Sequence, residues 1–320
     1  MKEITVIGAA IIDVLAGPAD PDVFQTGSQP METIKMSFGG DGLNESVVLK
    51  RLGKEVDLIS KVGNDDAGAR VLDYIQSQGL PLEKILVDES VETSINIVLI
   101  DEKGERHFLT NPKGSLRKLS EEDIMHFIDD TADIVSFASV FVSPLLDIPA
   151  MERIFKQIKL KPGRLLAADL TKAKNGEKLE DLKRVLPLID YIFPNEEEIS
   201  LLTGIKDRKT NADLLVEAGV SCAVIKLGKE GCLIRTKNKS IQIPAYPVEK
   251  VVDSTGAGDS FTAGFLWALS NGMPLKECGI FSNAAASCAV EVMGATNGIQ
   301  SLEEPMKRFE YLKSQGESLK

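Results

Sequence analysis

The stretch "VDSTGAGDSF" (residues 252–261) sets an acid, Asp259, directly behind Gly256-Ala257-Gly258, at the entrance to a helical run, "SFTAGFLWALSNG" (260–272). Glycines let successive backbone N–H groups point into one concavity, and such a nest at a helix start attracts phosphate. A fixed carboxylate repels phosphate, so the pattern makes sense where the site must also take a proton from whatever attacks the phosphate. A tight glycine entry to a helix accounts for the glycines but gives no reason for Asp259.

Two further stretches carry the same kind of chemistry. In "SFGGDGLNESVVLKRLG" (37–53), Gly39 and Gly40 precede a helix with apolar residues at Leu43, Val47, Val48 and Leu52. Asp41 and Asn44 are polar groups suited to binding hydroxyls, although taken alone a Gly-rich helix entry is more often a plain turn. In "FPNEEEISLLTG" (193–204), Asn195 and Glu198 share one face of a first helical turn. An amide plus a carboxylate suits a hydrated Mg²⁺, which keeps several waters and one or two carboxylates. The same pair is equally a reciprocal capping box. No G-x-x-x-x-G-K-[ST] loop occurs, and "VIGAA" lacks the G-x-G-x-x-G of a dinucleotide site.

Around these motifs the chain alternates apolar runs and helical patterns. "EITVIGAAIIDV" (3–14) reads as one continuous strand with Asp13 near its end. "VDLISKVG" (56–63), "ADIVSFAS" (132–139), "RLLAADL" (164–170), "DYIFPN" (190–195) and "CAVIKLG" (222–228) read as further strands. Helical spacing in 67–79, 149–159 and 196–204 falls between them, which predicts a parallel sheet wrapped by helices. Ligands in such sheets sit at the carboxyl ends of strands, where Asp13, Asp169, Asn195 and Gly228 are expected. Residues 14–38 and the predicted hairpin at 91–110 break the alternation, and the pattern fits either a small second sheet covering a site or two unrelated surface excursions. No repeat or charge-block linker marks a separable second domain.

The 320 residues carry a formal charge of −11, which argues against a nucleic-acid partner, since a phosphate backbone calls for a basic face. Four cysteines without CxxC spacing read as buried thiols of a reducing cytosol, and two histidines are too few for a His-rich metal site. Glu3 and Asp13 interrupt the N-terminal apolar run, which reads as a strand rather than a signal peptide, and no apolar stretch is of membrane-spanning length. The expectation is a cytoplasmic protein with no membrane partner.

In order and spacing the three motifs resemble the ribokinase-like PfkB family of carbohydrate kinases over nearly the whole chain. "DSTGAGDSF" is similar to that family's C-terminal signature and "GGDGLNESVVLKRLG" to its N-terminal one. "VGNDDAGARVLDYIQSQGL", "PNEEEISLLTG", "IKLGKEGCLI" and "NAAASCAVEVMGA" match further segments in order. "GGDGLNE", with Asp41 and Glu45, resembles a subgroup of bacterial sugar kinases. The resemblance implies a single domain over 1–320, a three-layer α/β/α fold with a mainly parallel central sheet, and a small β lid from 14–38 and 91–110. It implies an enzyme using ATP and Mg²⁺ to phosphorylate a primary hydroxyl of a sugar or sugar acid.

By the same resemblance Asp259 is the general base, and Gly256, Ala257 and Gly258 form the anion hole. Asn195 and Glu198 organise Mg²⁺, the Glu through water. Lys226, Gly228 and Gly231 line the nucleotide, with Asn283 near the adenine. Asp253 marks a monovalent-cation site, the potassium requirement varying among relatives. Asp13, Gly39, Gly40, Asp41, Asn44 and Asp169 fall on the sugar side, and a homodimer is implied. Departures from the ribokinase pattern speak against ribose: Ile11 replaces an Asn, Val142 an acid, and Thr171 and Ala173 the Asn and Arg after Asp169. Lys113, Lys172 and Lys174 suit a sugar acid, or are solvated surface groups. The alternatives are a nucleoside or sugar-phosphate kinase of this fold, and a catalytically silent sugar-binding regulatory protein.

Overall fold

Apolar runs bounded by polar turns fold as strands of a sheet buried on both faces. The computed structural model describes residues 3–102 and 106–317. Its strands are β1 (Ile4–Ile7), β2 (Ile11–Gly17), β3 (Thr33–Gly39), β4 (Val56–Gly63), β5 (Ile85–Asp88), β6 (Ile95–Ile100) and β7 (Arg106–Thr110). They continue with β8 (Ile134–Val140), β9 (Leu165–Leu170), β10 (Tyr191–Phe193), β11 (Cys222–Lys226), β12 (Cys232–Thr236) and β13 (Lys239–Ile243). The helices are α1 (Val23–Thr26), α2 (Asp41–Arg51), α3 (Asp66–Ser77), α4 (Glu121–Met125) and α5 (Ile148–Lys159). After these come α6 (Glu196–Thr203), α7 (Arg208–Glu217), α8 (Ala257–Ser270), α9 (Leu275–Ala289) and α10 (Glu303–Glu317).

Nine strands form the large sheet in the order β13-β12-β11-β10-β9-β8-β1-β4-β5. Pairing is parallel from β11 through β5, and β12 and β13 extend the other edge as an antiparallel hairpin. Alternate strand residues feed two cores. Ile4, Val6, Leu58 and Ala138 pack with Val47 of α2, Phe265 of α8 and Phe281 of α9. Ile7, Ile59, Val135 and Phe137 pack on the opposite side with Ile154 and Phe155 of α5. This is the three-layer arrangement expected from the alternation.

The second sheet has the order β3-β2-β6-β7, with β2 antiparallel to β3 and parallel to β6. It begins earlier than the sequence suggests. The run 3–14 is not one strand: β1 ends at Ile7 and Asp13 lies within β2, in the small sheet rather than at the end of a core strand. The physical reason lies between them. The Ala9 N–H donates to Asp41 Oδ1 (3.3 Å) and the Ala9 carbonyl accepts from the Leu43 N–H (2.9 Å), so the backbone leaves the large sheet and binds the start of α2. The tip of the 91–110 hairpin, 103–105, lies outside the described residues. No helix among the described residues is long and apolar enough to cross a membrane.

Candidate active site

Helix α8 begins where Gly256, at φ +70°, turns the chain left-handed; a side chain there would strike the Ala295 carbonyl. The first-turn N–H groups of Gly258 and Asp259 make no hydrogen bond among the described residues. The Ala257 N–H donates to the Ser254 carbonyl at 3.3 Å, so the donors left at the head of this 14-residue helix, where the helix dipole is positive, are those of Gly258 and Asp259 rather than the expected Gly256-Ala257-Gly258 set.

Asp259 stands at this helix start. Its Oδ2 accepts from Asn44 Nδ2 at 2.8 Å, a contact spanning 215 residues that joins the N-terminal and C-terminal motifs. Oδ1 takes no hydrogen bond among the described residues, and the side chain lines the cleft. Burial pushes the Asp259 carboxyl up to about 6, against the opposing Asn44 hydrogen bond. Asn44 therefore orients the Asp259 carboxylate, a contact not among those expected of it.

Asp41, Asp169, Asn195, Glu198, Lys226, Gly258 and Asp259 share one cleft of about 310 Å³ at the carboxyl ends of the strands. Lys226, the last residue of β11, places Nζ 2.6 and 2.7 Å from the two oxygens of Asp169 on β9. Thr262, one helical turn beyond Asp259, donates to Asp169 Oδ2 at 2.9 Å. Burial disfavours the Lys226 ammonium, but Asp169 and Glu198 outweigh it and hold its pKa above the usual lysine range. With both carboxylate oxygens on Nζ, the pair stays ionised. Nζ lies 3.5 Å from where a Cβ on Gly258 would sit, so this cation reaches the start of α8.

The expected metal pair forms a capping box. Asn195 Oδ1 accepts from the Glu198 N–H (2.8 Å) and Glu198 Oε2 from the Asn195 N–H (2.7 Å). Glu198 Oε1 takes no hydrogen bond among the described residues. Burial lifts the Glu198 carboxyl to about 7, with Lys226 opposing. A half-buried carboxylate with one free oxygen, in the same cleft as the start of α8, fits a hydrated Mg²⁺. The cap fixes Oε2 and leaves Oε1 open to a further partner.

Among the residues expected to meet the sugar, Asp13 Oδ1 accepts from Asn96 Nδ2 at 3.0 Å, and its other oxygen lies against Gly39, where a Cβ would come within 2.1 Å of it. Gly40 caps α2, and Asp41 Oδ1 also accepts from the Gly42 N–H at 2.9 Å. Burial, then the charge of Asp259, lifts the Asp41 carboxyl to about 7. One turn on, Glu45 is 1% exposed and its Oε1 has no hydrogen-bond partner among the described residues; burial pushes its carboxyl well above the usual range.

The remaining expected residues sit around this centre. Gly228 and Gly231 bracket a 3-10 turn after β11. Asn283 is buried, donating to the Pro244 carbonyl (3.0 Å), and so ties α9 to the segment after β13. Asp253 is buried, accepting from the Thr255 and Gly294 N–H groups, both at 2.8 Å. Of the three lysines, Lys113 is exposed after β7 and Lys172 pairs with Glu197 at 2.6 Å. Lys174 comes close enough to feel the charges of Arg117 and Asp41. Sequence reasoning missed Thr262 and Asn96; the spacing of Thr262 three residues after Asp259 is the one signal that was available.

The family model for pfkB family carbohydrate kinases matches residues 1–302. The chain belongs to this family. That makes it a phosphotransferase with an alcohol acceptor. It is 31% identical over 255 residues to an uncharacterized sugar kinase of Archaeoglobus fulgidus, covering 78% of this chain and 97% of that one. It is 29% identical to a nucleoside kinase of Methanothermobacter thermautotrophicus, covering 88% and 87%. The structure of Arabidopsis thaliana ribokinase complexed with ribose and ATP superposes with a TM-score of 0.81 at 25% identity, covering 97% of this chain and 99% of that one.

Proposed function

We propose that this pfkB family kinase transfers the γ-phosphoryl group of ATP to a primary hydroxyl of a monosaccharide or sugar acid. The observation that carries this is the start of α8, where a carboxylate of raised pKa and unpaired N–H donors meet beside Lys226. Asp259 takes the proton from the attacking hydroxyl, and the N–H groups of Gly258 and Asp259 receive the equatorial oxygens of the phosphoryl group. Lys226 balances charge from the side. Asn44 keeps the base turned to the acceptor, and Asp13, Gly39, Gly40 and Asp41 receive the sugar. Phosphoryl transfer depends mainly on such positioning and charge stabilisation. Gly228, Gly231 and Asn283 frame the nucleotide side.

Mg²⁺, when bound, neutralises the donor phosphates; Glu198 through water, with Asn195, would hold it. Because the Glu198 carboxyl titrates at about 7, a proton competes with the metal below that pH. The Mg²⁺ concentration for half-maximal rate is expected to rise as pH falls from 8 to 6, and Glu198→Gln to raise it about tenfold and flatten that dependence. Steady-state Mg²⁺ titrations at several pH values check this.

The test of the activity is ADP release with ATP and Mg²⁺ across aldoses, ketoses, sugar acids and nucleosides, in potassium and in sodium. An acceptor-dependent signal is expected, with a sugar or sugar acid ahead. A nucleoside in first place would favour the second reading, which the likeness to a nucleoside kinase supports. Higher rates in potassium would assign a monovalent cation to the Asp253 loop.

Two further parts of the proposal follow from surfaces and cysteines. Met36, Ile97 and Leu109 stand in register on one face of the small sheet, and Ile34 (68% exposed) extends it. Such a face suits a homodimer formed through the lids. Ile97→Asp is expected to convert a dimer to a monomer by light scattering, while the fold persists by circular dichroism. All four cysteines are free and buried, which suits a cytoplasmic location.

A further inference from the structure

We infer that Arg51 is a positioning residue for phosphoryl transfer: from the far end of α2 it holds the 294–299 loop, and through that loop it sets the start of α8, where the N–H groups of Gly258 and Asp259 stand. The inference rests on the kinase reading and adds to it a side chain that does not line the cleft. Arg51 closes α2, seven residues and about two turns after Asn44, so the two side chains leave the same face of the helix. Asn44 holds Asp259 at 2.8 Å. Arg51 Nη1 donates to the carbonyls of two buried residues, Thr296 at 2.6 Å and Ile299 at 2.9 Å. Its Nε and Nη2 donate to Gln78 Oε1 at 3.1 and 2.7 Å, which anchors the guanidinium at the end of α3.

The clamped loop is the wall against which α8 starts. At Gly256 the backbone of Ala295 lies so close that a Cβ would come within 2.1 Å of its carbonyl oxygen and 2.7 Å of its Cα. On one side of Ala295, the Gly294 N–H donates to Asp253 Oδ2 at 2.8 Å, and Asp253 Oδ1 accepts from the Thr255 N–H, next to Gly256, at 2.8 Å. On the other side stands Thr296, whose carbonyl takes the shortest of the four Arg51 bonds. The loop is thus tied to the approach of α8 at 294 and to the end of α2 at 296 and 299. A guanidinium bonded along its planar fork fixes direction as well as distance, which a point charge does not. Helix α2 therefore sets the start of α8 twice, through Asn44 for the acid and through Arg51 and the loop for the N–H groups. Without Arg51 the acid stays held while the wall behind Gly256 is free to shift. A displacement of about 1 Å at a reacting centre costs on the order of a hundredfold in rate. The loss falls on the step in which the phosphoryl group moves, not on the binding of either substrate.

The experiment compares wild type with Arg51→Met, Arg51→Lys and Gln78→Leu in steady-state ADP release with the best acceptor, well below each protein's melting temperature. Gln78→Leu removes the other partner of the guanidinium and keeps the bonds to Thr296 and Ile299, so it reports what a weakened junction does by itself. Arg51→Met is expected to lower kcat about 10- to 100-fold, with the KM for ATP and for the acceptor within about threefold of wild type. Arg51→Lys, a single compact donor in place of the fork, is expected to recover part of that loss, and Gln78→Leu to stay within about threefold of wild type in kcat. Wild-type kcat in Arg51→Met, a loss carried by KM instead of kcat, or an equal loss in Gln78→Leu overturns the inference. If Arg51→Met does not fold, Arg51→Lys takes its place with an expected drop in kcat of about 3- to 10-fold, and wild-type kcat there overturns it. If wild type turns over no acceptor, titration with inorganic phosphate, followed at the amide NMR signals of Gly258 and Asp259, decides independently. Signals that move in wild type and need at least about tenfold more phosphate in the Arg51 variant support the positioning role and place the failure in the kinase reading. Signals that respond alike in both proteins, or not at all in wild type, overturn it.

Discussion

Asp259→Asn is expected to lower kcat about a hundred- to ten-thousand-fold while leaving the KM for ATP within about threefold. The substitution keeps the size of the side chain and the helix start, so the N–H donors of the anion hole persist. What it removes is the acceptor for the hydroxyl proton. In the wild type the base works only when ionised, and its carboxyl is held at about 6. Below that pH the carboxyl is protonated, so kcat/KM for the acceptor falls as pH drops through about 6 and levels off above it. In Asp259→Asn the residual rate loses this limb. Stopped assays of ADP release between pH 5 and 8 give both readouts. A variant with wild-type kcat would remove Asp259 from the chemistry.

The second large effect falls on Lys226. Lys226→Met is expected to lower kcat about a hundredfold or more, since it removes a cation within reach of the phosphoryl group. It is also expected to destabilise the fold by about 3–5 kcal/mol, because Asp169 is left as a buried, unpaired carboxylate. The side chains of the pair are 14% and 8% exposed, so solvent does little to screen that loss. The double variant Lys226→Met/Asp169→Leu separates the two effects. It should recover most of the stability, by denaturant melts, and little of the activity. Recovery of activity along with stability would make the lysine structural.

Much of this site was legible in the sequence because its chemistry is local. The Gly256–Gly258 nest and Asp259 lie in four consecutive residues, and the Asn195–Glu198 box closes within one turn. The parallel sheet was legible because buried strands read as continuous apolar runs. That same property hid the break after β1. Ile4–Ile7 and Ile11–Gly17 are equally apolar, and only the tertiary bonds of Ala9 to the start of α2 send them to different sheets. Asn44 on Asp259 and Lys226 on Asp169 join residues 215 and 57 apart, so single-segment reading cannot see them.

The most direct test of the account is phosphorus NMR of a reaction containing ATP, Mg²⁺ and the best acceptor from the panel. A phosphomonoester resonance coupled to two protons of a CH₂ group, growing as the γ-phosphate of ATP disappears, is the predicted result. ATP left intact with every acceptor, in protein that still binds sugar by calorimetry, would contradict phosphoryl transfer and leave a sugar-binding protein on a kinase fold.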